Sequence, residues 1–536
     1  MADIEKITLS RAAFPEEVGV SSQGVAEFIE DLHANNIEMH SIMILRHGKV
    51  AFECWREPYG PDIPHTMYSV SKSITSTAIG FAVDEGLVSL DTKVIDIFPE
   101  FKPAKKDKNL EILTVYHLLT MTSGKDISLI SNRVKNQWIK DFFDAKWSYT
   151  PGESWSYINE NTYMLSAIIS RVTGMPMVNY LMPRLFEPLG IDRIPFSEKD
   201  GNGVNTGGWG FFLTTEEFAK FILCYQYGGV FNGKKVIPVD WAKEAVKKQV
   251  DNHRFRDNEA DTISGYGYQF WRNGYPDSYR ADGMFSQFGM IFEKLDAALV
   301  VTSCEMNEQK TKECIWRHFP GIFVEDSTEP YSGENLEDKL ILKPLPELDA
   351  APRSGLEKSI AGKTIAVKKQ RLLNTVGFPV SMLPMPILFM SVDRAGNIDK
   401  IKFEFSENEC SMSWSEGKIR NTIICGMDGK ARQSSIKLAG FEFTANSTAA
   451  WEDENTLSVW MRPLEAICQR RVKFVINGSK VKFTPSCMPD SSCMLDYVSE
   501  RIKIYVKNPV LSKIEEAAAR KSFKLVEPVH RGMISG

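Results

Sequence analysis

The sequence lacks an apolar run long enough to cross a bilayer, and its first residues lack a secretory leader. The most apolar stretch, Phe378–Val392, has 15 residues and contains three prolines, whereas a membrane-spanning helix needs about 20 apolar residues. The opening residues, MADIEKITLS, have neither an apolar core nor a cleavage signature. We therefore expect a soluble cytoplasmic protein with no membrane partner.

The sequence also lacks an excess of one charge sign and any regular spacing of metal-binding residues. The 64 basic and 69 acidic side chains give a net charge of −5 over 536 residues, so a nucleic-acid partner is not expected. The nine cysteines form no CxxC pair, which is typical of free thiols in a reducing compartment. The eight histidines show no ligand spacing, so the sequence predicts no metal ion and no cofactor.

The first part of the chain predicts an α+β domain. Apolar runs on either side of His47–Gly48 indicate a β-hairpin, a long region with helical periodicity follows, and strand patterns return in Tyr279–Glu305. Strands at both ends with helices between them favour an antiparallel sheet whose terminal strands pair after a helical insertion. We predict that this domain covers residues 1–340.

The second part of the chain predicts a different architecture. A proline-rich stretch, Leu342–Gly355, indicates a linker, for which we take 341–356. Short alternating strands beyond it, about ten residues apart, predict an all-β barrel or sandwich over 357–536. A helical segment, Ser512–Lys524, follows the strands. A chain of this length is expected to hold two or three domains.

Ser69 stands three residues before Lys72, at the start of an apolar stretch. Alone, Ser-x-x-Lys is a weak signal, because the same spacing recurs in the strand-rich part of the chain. A serine at a helix start followed by a surface lysine would explain most such matches. The context here differs, since Ile74, Ala78 and Phe81 follow at helical spacing and predict a helix that is buried over most of its surface.

A buried lysine beside a serine has a chemical use. Burial would lower the pKa of the Lys72 amine from about 10.4, because an ammonium ion is disfavoured away from water. A shift of roughly three units, about 4 kcal/mol, would let the neutral amine accept the proton of Ser69 near pH 7. The helix N-terminus would stabilise the developing negative charge. Ser69 and Lys72 are therefore candidates for a nucleophile and its base.

Tyr157 and Asn159 form a second candidate group, just before another apolar helical pattern. A phenol beside Lys72 could relay the proton of the serine to a leaving group. The amide of Asn159 could hold both the lysine and a substrate carbonyl. A core tyrosine followed by a turn asparagine is the alternative interpretation of these two residues.

Four motifs in this order resemble those of one superfamily, the class C β-lactamase-like serine hydrolases, which include β-lactamases, penicillin-binding proteins and family VIII esterases. The motifs are SVSK (Ser69–Lys72), LTVYHLLTMTSG (Leu113–Gly124), PGESWSYIN (Pro151–Asn159) and the segment that begins GGWG (Gly207–Ile237). The resemblance covers roughly residues 10–320. It implies a β-lactamase/transpeptidase-like antiparallel sheet flanked by helices.

The resemblance also implies the roles of these residues. In that family the serine of SxxK is acylated, while the lysine and the tyrosine of YxN handle its proton. By position these are Ser69, Lys72 and Tyr157, with Asn159 assisting. The second part of the chain resembles the lipocalin-like barrel that some of these hydrolases carry.

The third motif of the family, Lys-Thr-Gly or His-x-Gly, departs from the pattern here. Alignment on Gly283 places Ala281 where the cation would stand. In β-lactamases and penicillin-binding proteins that cation helps to hold the substrate carboxylate. We expect Asp282 to repel an anion, and we expect strand alternation to point Arg280 to the opposite face from Ala281.

With this change the third motif resembles that of the esterase and amide-hydrolase members of the superfamily. In those members an A-x-G…Q pattern like that of Ala281, Gly283 and Gln287 is familiar. Gly283 permits close backbone approach, and the N–H of Met284 would be the second oxyanion donor beside that of Ser69. The candidate apolar walls, which are as well explained by packing, are Trp155, Trp209 and Phe285.

The sequence therefore predicts a serine hydrolase that acts on a small ester or amide without a required carboxylate. A β-lactamase or a D-amino-acid peptidase of the penicillin-binding type is the alternative within enzymes. A non-catalytic binding or assembly protein on the same fold is the alternative of another class.

Phe378–Val392 could line the mouth of the site or pack between domains. The sequence does not identify the natural substrate or the oligomeric state. It also leaves open whether the acyl group passes to water or to another acceptor.

Overall fold

The computed structural model describes residues 7–125, 137–193, 197–252, 260–333, 336–369, 382, 398–438, 441–490, 513–514, 517 and 528–535. The chain divides into two compact units between Lys343 and Pro344. The predicted linker, 341–356, includes this division, and the domain bounds themselves stay a prediction. Most of Phe378–Val392 and of the predicted helix Ser512–Lys524 lies outside the described residues.

The N-terminal unit is built on a six-stranded antiparallel sheet in the order β2-β1-β10-β9-β8-β7, and two short two-stranded ladders, β3 with β4 and β5 with β6, lie apart from it. In chain order the strands are β1 (Met39–Arg46), β2 (Lys49–Trp55), β3 (His65–Thr66), β4 (Phe212–Leu213), β5 (Val230–Phe231), β6 (Lys234–Lys235), β7 (Trp271–Arg272), β8 (Ser278–Gly283), β9 (Gln287–Phe292) and β10 (Ala297–Ser303). The pairing of β1 with β10, for example Ile44 opposite Leu299, joins the two ends of the helical insertion. This confirms the predicted α+β class.

Helices cover both faces of the sheet. On one face, α1 and α12 bury a core that includes Phe28, Phe288 and Phe319. On the other face lies α9, whose Ile222 and Phe218 would contact a Cβ at Gly289. The helices of this unit are α1 (Ser22–Ala34), α2 (Val70–Asp84), α3 (Val94–Ile97), α4 (Lys108–Ile112), α5 (Val115–Leu119), α6 (Trp138–Asp144), α7 (Asn159–Thr173), α8 (Met177–Leu181), α9 (Thr215–Gln226), α10 (Val239–Ala245), α11 (Ala260–Ile263), α12 (Glu308–His318) and α13 (Leu336–Lys339).

The helix α2 is the central helix of this unit, and it packs against α7, α10 and β8. All its residues from Val70 to Ala82 are buried, as the apolar spacing predicts. A Cβ at Gly80 would lie 2.4 Å from Cγ of Trp241, so this glycine lets α10 approach closely. The small and hydroxylated residues of α2 therefore allow contact with neighbours on every side.

The C-terminal unit is a β-barrel. Its ten described strands form one sheet in the order β14-β13-β12-β11-β20-β19-β18-β17-β16-β15, and a parallel bridge between Gly426 and Thr448 closes the sheet on itself. Inward and outward residues alternate along β13 and β19, as expected of a sheet with one buried face. The elements are α14 (Glu357–Ile360), β11 (Thr364–Val367), β12 (Ile398–Phe405), β13 (Glu409–Glu416), β14 (Ile419–Gly426), β15 (Arg432–Leu438), β16 (Phe441–Trp451), β17 (Thr456–Pro463), β18 (Gln469–Asn477), β19 (Lys480–Met488) and β20 (His530–Ser535). The predicted all-β barrel is confirmed.

None of the helices in the described ranges is both long enough and apolar enough to cross a bilayer.

Candidate active site

Ser69 lies at the N-terminal end of α2, directly after a turn with unusual backbone geometry. Tyr68 has φ of +43°, a left-handed conformation that is uncommon for a bulky residue and costs free energy. The ring of Tyr68 is buried against Phe285, with 5.1 Å between the ring centroids. The backbone N–H of Met67 donates to the carbonyl of Phe211 at 2.9 Å. These contacts hold the half-buried Ser69 in a fixed position.

Lys72 lies one turn along α2 and is only 1% exposed. Its Nζ lies 2.9 Å from Oγ of Ser69, 2.7 Å from Oδ1 of Asn159 and 2.9 Å from the carbonyl oxygen of Gly208. The three oxygens come from α2, from the first residue of α7 and from the loop before β4. The structure therefore brings together Ser69, Lys72 and Asn159, as the sequence predicts.

Tyr157 completes this group. Its ring centroid lies 4.9 Å from Nζ of Lys72. The half-buried Tyr157 ring contacts Trp271 at 5.3 Å and Tyr266 at 6.2 Å between centroids, and Trp155 at 6.0 Å. This aromatic cluster fixes the phenol ring beside the amine. Trp155, one of the predicted apolar walls, lies in the cluster and is almost fully buried.

Gly208 is a residue of the site that the sequence reasoning missed. A Cβ at this position would lie 3.1 Å from Oδ1 of Asn159 and 3.4 Å from Nζ of Lys72. The missing side chain thus leaves room for the amine and for the amide. Gly208 is the second residue of the GGWG motif, and that motif could have identified it, because the sequence prediction used GGWG only to recognise the family.

Gln269 was also missed, and no sequence signal identifies it. Its side chain accepts from Oγ1 of Thr162 and donates to the carbonyl of Leu119, both at 2.7 Å. Its own carbonyl accepts from Oγ of Ser73 at 2.7 Å. Gln269 therefore connects α2 with α5 and α7, which carry or adjoin the residues around Lys72.

The end of β8 lies against the turn that precedes Ser69. A Cβ at Gly283 would lie 2.4 Å from the carbonyl oxygen of Met67, so only glycine allows this approach. Met284 follows in a turn whose next two residues, Phe285 and Ser286, have φ of +66° and +65°. The structure thus brings the segment of Gly283 and Met284 close to the turn that precedes Ser69. The oxyanion role of the Met284 N–H stays a prediction.

The residues around Ala281 alternate as a strand requires. Ala281 is fully buried, and Arg280 and Asp282 alternate to the other face of β8. Nε of Arg280 donates to Oδ2 of Asp282 at 2.6 Å, so the carboxylate has a cationic partner. That Asp282 repels an anionic substrate stays a prediction. The position of the family cation is occupied by a buried methyl group.

The other two predicted walls, Trp209 and Phe285, are almost fully buried. Phe285 is 1% exposed and packs on Tyr68, whereas Trp209 is 3% exposed and has its ring 5.9 Å from that of Trp138. Both rings support the loops around the site.

Comparison with known proteins gives a family and several relatives. The beta-lactamase family model matches residues 25–317. The 6-aminohexanoate-dimer hydrolase of Paenarthrobacter ureafaciens is 24% identical over 251 residues, which are 44% of this chain and 64% of that protein. Esterase EstB of Burkholderia gladioli is 28% identical over 175 residues, which are 28% of this chain and 44% of that protein. The chain thus spans less than two thirds of the length of these relatives.

Among solved structures, a penicillin-binding protein homologue from Caulobacter crescentus matches with a TM-score of 0.44 at 17% identity. The match covers 56% of this chain and 97% of that chain.

Proposed function

The chain belongs to the beta-lactamase family, which confirms the resemblance drawn from its motifs, and on this premise we propose that it is a serine hydrolase. The substrate is a small ester or amide, cleaved through an acyl-enzyme on Ser69. The observation that carries this proposal is the position of the Lys72 amine between Oγ of Ser69 and two further oxygens.

The surroundings of Lys72 support its role as the base. A neutral amine has two N–H donors and one lone pair. The amide oxygen of Asn159 and the carbonyl oxygen of Gly208 can only accept hydrogen bonds, so they take the two N–H groups of the amine. In the neutral form that we propose, the lone pair is directed to the hydroxyl of Ser69, 2.9 Å away. This is the arrangement that general-base catalysis requires.

The reaction has two halves. Oγ of Ser69 attacks the substrate carbonyl while Lys72 takes its proton, and the N–H groups of Ser69 and Met284 stabilise the oxyanion. Collapse of the tetrahedral intermediate breaks the bond to the leaving group, which receives the proton from Lys72 through the phenol of Tyr157. Water then attacks the acyl-enzyme, Lys72 and Tyr157 return its proton to Oγ, and a free acid is released.

The substrate class follows from the charges. Ala281 offers no cation to a substrate carboxylate, which argues for a neutral ester or amide at this position. The names of the relatives, an esterase and a hydrolase of an aminohexanoate dimer, support an ester or an amide as the bond that is cleaved. A β-lactamase remains the second candidate because the family carries that name, and a chromogenic cephalosporin assayed beside p-nitrophenyl butyrate separates the two.

The proposal is tested with Ser69→Ala. We expect this variant to fold and to lose both p-nitrophenyl butyrate hydrolysis and labelling by a fluorophosphonate probe, because both need the nucleophile. The matched control is Ser76→Ala on the same helix, since Oγ of Ser76 is buried and has no hydrogen-bond partner among the described residues. Labelling that persists in Ser69→Ala would remove Ser69 from the mechanism. A wild type that is never labelled would favour a non-catalytic binding protein.

A further inference from the structure

A group of metal-ligating side chains lies outside the proposed active site, where β1 begins and β10 ends. Glu38, His40 and Cys304 each offer one ligand atom, and these atoms all lie within 4.8 Å of one another. We propose that this group binds a zinc-class divalent cation, with Oε1 of Glu38, Nε2 of His40 and Sγ of Cys304 as its ligands.

The first argument is a buried chain of contacts that orients His40. Nε2 of His40 lies 3.1 Å from Oε1 of Glu38, Nδ1 of His40 lies 2.9 Å from Nε2 of His65, and Nδ1 of His65 lies 3.0 Å from the carbonyl of Thr66. The contact with His65 holds the His40 ring so that its Nε2 faces the carboxylate of Glu38. Metal-binding histidines are commonly oriented in this way by a partner at the other ring nitrogen.

The second argument is the thiol. Cys304 adds a third ligand of the kind that zinc prefers. Zn²⁺ with the thiolate of Cys304 and the carboxylate of Glu38 is neutral overall, so the cation is not buried unpaired. Binding releases the thiol proton to water.

The third argument is that the backbone already holds these residues in place. The carbonyl of Glu38 accepts from Oγ of Ser303 at 2.8 Å and from the N–H of Cys304 at 3.0 Å. The ring of His40 stacks on Tyr59 with 3.8 Å between centroids. Ligand atoms around tetrahedral zinc are separated by roughly 3.3–3.8 Å, given bond lengths of about 2.0–2.3 Å, so only small side-chain movements are needed.

The mixed ligand set determines the metal. Nitrogen, sulfur and one carboxylate oxygen suit Zn²⁺ or Co²⁺, whereas Mg²⁺ and Ca²⁺ require oxygen ligands. Three protein ligands leave one position for water, and Glu38, whose side chain is 25% exposed, provides the route to solvent. The sequence spacing predicted no metal because Cys304 is far along the chain from Glu38 and His40.

The test uses the full chain, stripped of metal with EDTA and kept reduced. Dialysis against Zn²⁺ followed by elemental analysis is expected to give one saturable equivalent per chain. Co²⁺ is expected to give the visible bands of tetrahedral coordination together with a thiolate-to-cobalt charge-transfer band. Both readouts are independent of hydrolase activity, so their failure leaves the proposed function unaffected.

Variants assign the ligands. Cys304→Ser is expected to lose the charge-transfer band, whereas Cys224→Ser, which removes another buried cysteine, should retain it. His65→Phe should weaken Zn²⁺ binding about 10- to 100-fold, because Nδ1–H of His40 loses its acceptor. No saturable binding by the wild type would overturn the proposal. A charge-transfer band that persists in Cys304→Ser would overturn it as well.

Discussion

At the scale of single residues, the proposed base is controlled as much by a missing side chain as by those present. Gly208 contributes its carbonyl to Lys72, and the space beside it holds the amide of Asn159. These two oxygens accept hydrogen bonds from Nζ of Lys72, which lies 2.9 Å from Oγ of Ser69. The three contacts of Nζ of Lys72 are 2.7–2.9 Å long, so a displacement of a few tenths of an ångström would weaken them.

Gly208→Ala should therefore lower kcat/KM about 10- to 100-fold, because the new methyl group displaces the lysine or the amide from its position. Thermal stability should stay close to that of the wild type, since both neighbours are side-chain atoms that can shift. Hydrolysis of p-nitrophenyl butyrate and a thermal melt measure the two effects. Gly60→Ala is the control, because a Cβ at Gly60 meets no atom within 4 Å. Full activity in Gly208→Ala would show that the amine tolerates displacement.

At the scale of elements, the approach of β8 to the turn before α2 is a backbone contact. A Cβ at Gly283 would meet the carbonyl of Met67 at 2.4 Å, and neither segment can move without disturbing a sheet or a buried helix. The same contact brings Gly283, and with it the following Met284, close to the turn before Ser69.

Gly283→Ala should consequently reduce both stability and activity, in contrast to Gly208→Ala. Overpacking of this kind costs about 1–3 kcal/mol of the free energy of unfolding. Urea denaturation and the ester assay on the same preparation test the pair of effects. A variant with wild-type stability and kcat would contradict the close contact.

The start of α12 supports the turn after β8 from the other side. Oε1 of Glu308 accepts from the backbone N–H of Phe285 at 3.1 Å. Burial and, less strongly, the nearby Asp282 carboxylate raise the pKa of Glu308 to about 7, although Lys312, Arg280 and the hydrogen bond from Phe285 oppose the rise. The folded protein therefore keeps a proton on Glu308 over a pH range in which the unfolded chain, with a pKa near 4.5, has released it.

This difference predicts a pH dependence of stability. Because the folded state binds more protons between about pH 4.5 and 7, the contribution of Glu308 to the free energy of unfolding falls as the pH rises through that range. The total change is at most about 3 kcal/mol. Urea denaturation from pH 5 to 8 should show this fall in the wild type and in Glu313→Gln, an exposed control on the same helix. Glu308→Gln should remove it, and an unchanged slope in that variant would refute the assignment.

At the scale of the whole molecule, every residue of the proposed catalytic group lies in the N-terminal unit, between Met67 and Met284. The barrel strands belong to the other unit, which begins at Pro344. The proposed chemistry therefore draws no group from the barrel.

A site-specific protease site inserted between Lys343 and Pro344 in the full chain tests this separation. After cleavage, p-nitrophenyl butyrate hydrolysis should continue at the rate of the intact chain, because no catalytic group is removed. The uncleaved insertion protein is the control. Loss of activity on cleavage alone would mean that the barrel contributes to the site.

The sequence by itself determined the local features of this protein. The helical spacing after Ser69 predicted a buried helix and hence a buried Lys72, because helical periodicity is encoded by near neighbours. The order of the motifs predicted the family, and strand alternation predicted the barrel. Tyr157 and Asn159 were found in the same way, since their spacing is a linear pattern.

Only the tertiary structure decided which distant groups meet. The carbonyl of Gly208 carries no side-chain signal, and the pairing of Arg280 with Asp282 depends on how β8 is buried. Glu38 and Cys304 become neighbours through the register of β1 against β10, in which Met39 lies opposite Ser303. Sequence patterns show that such strands exist, but the register that joins them is set by packing across the whole sheet, because each pairing is stabilised by contacts that lie far apart along the chain.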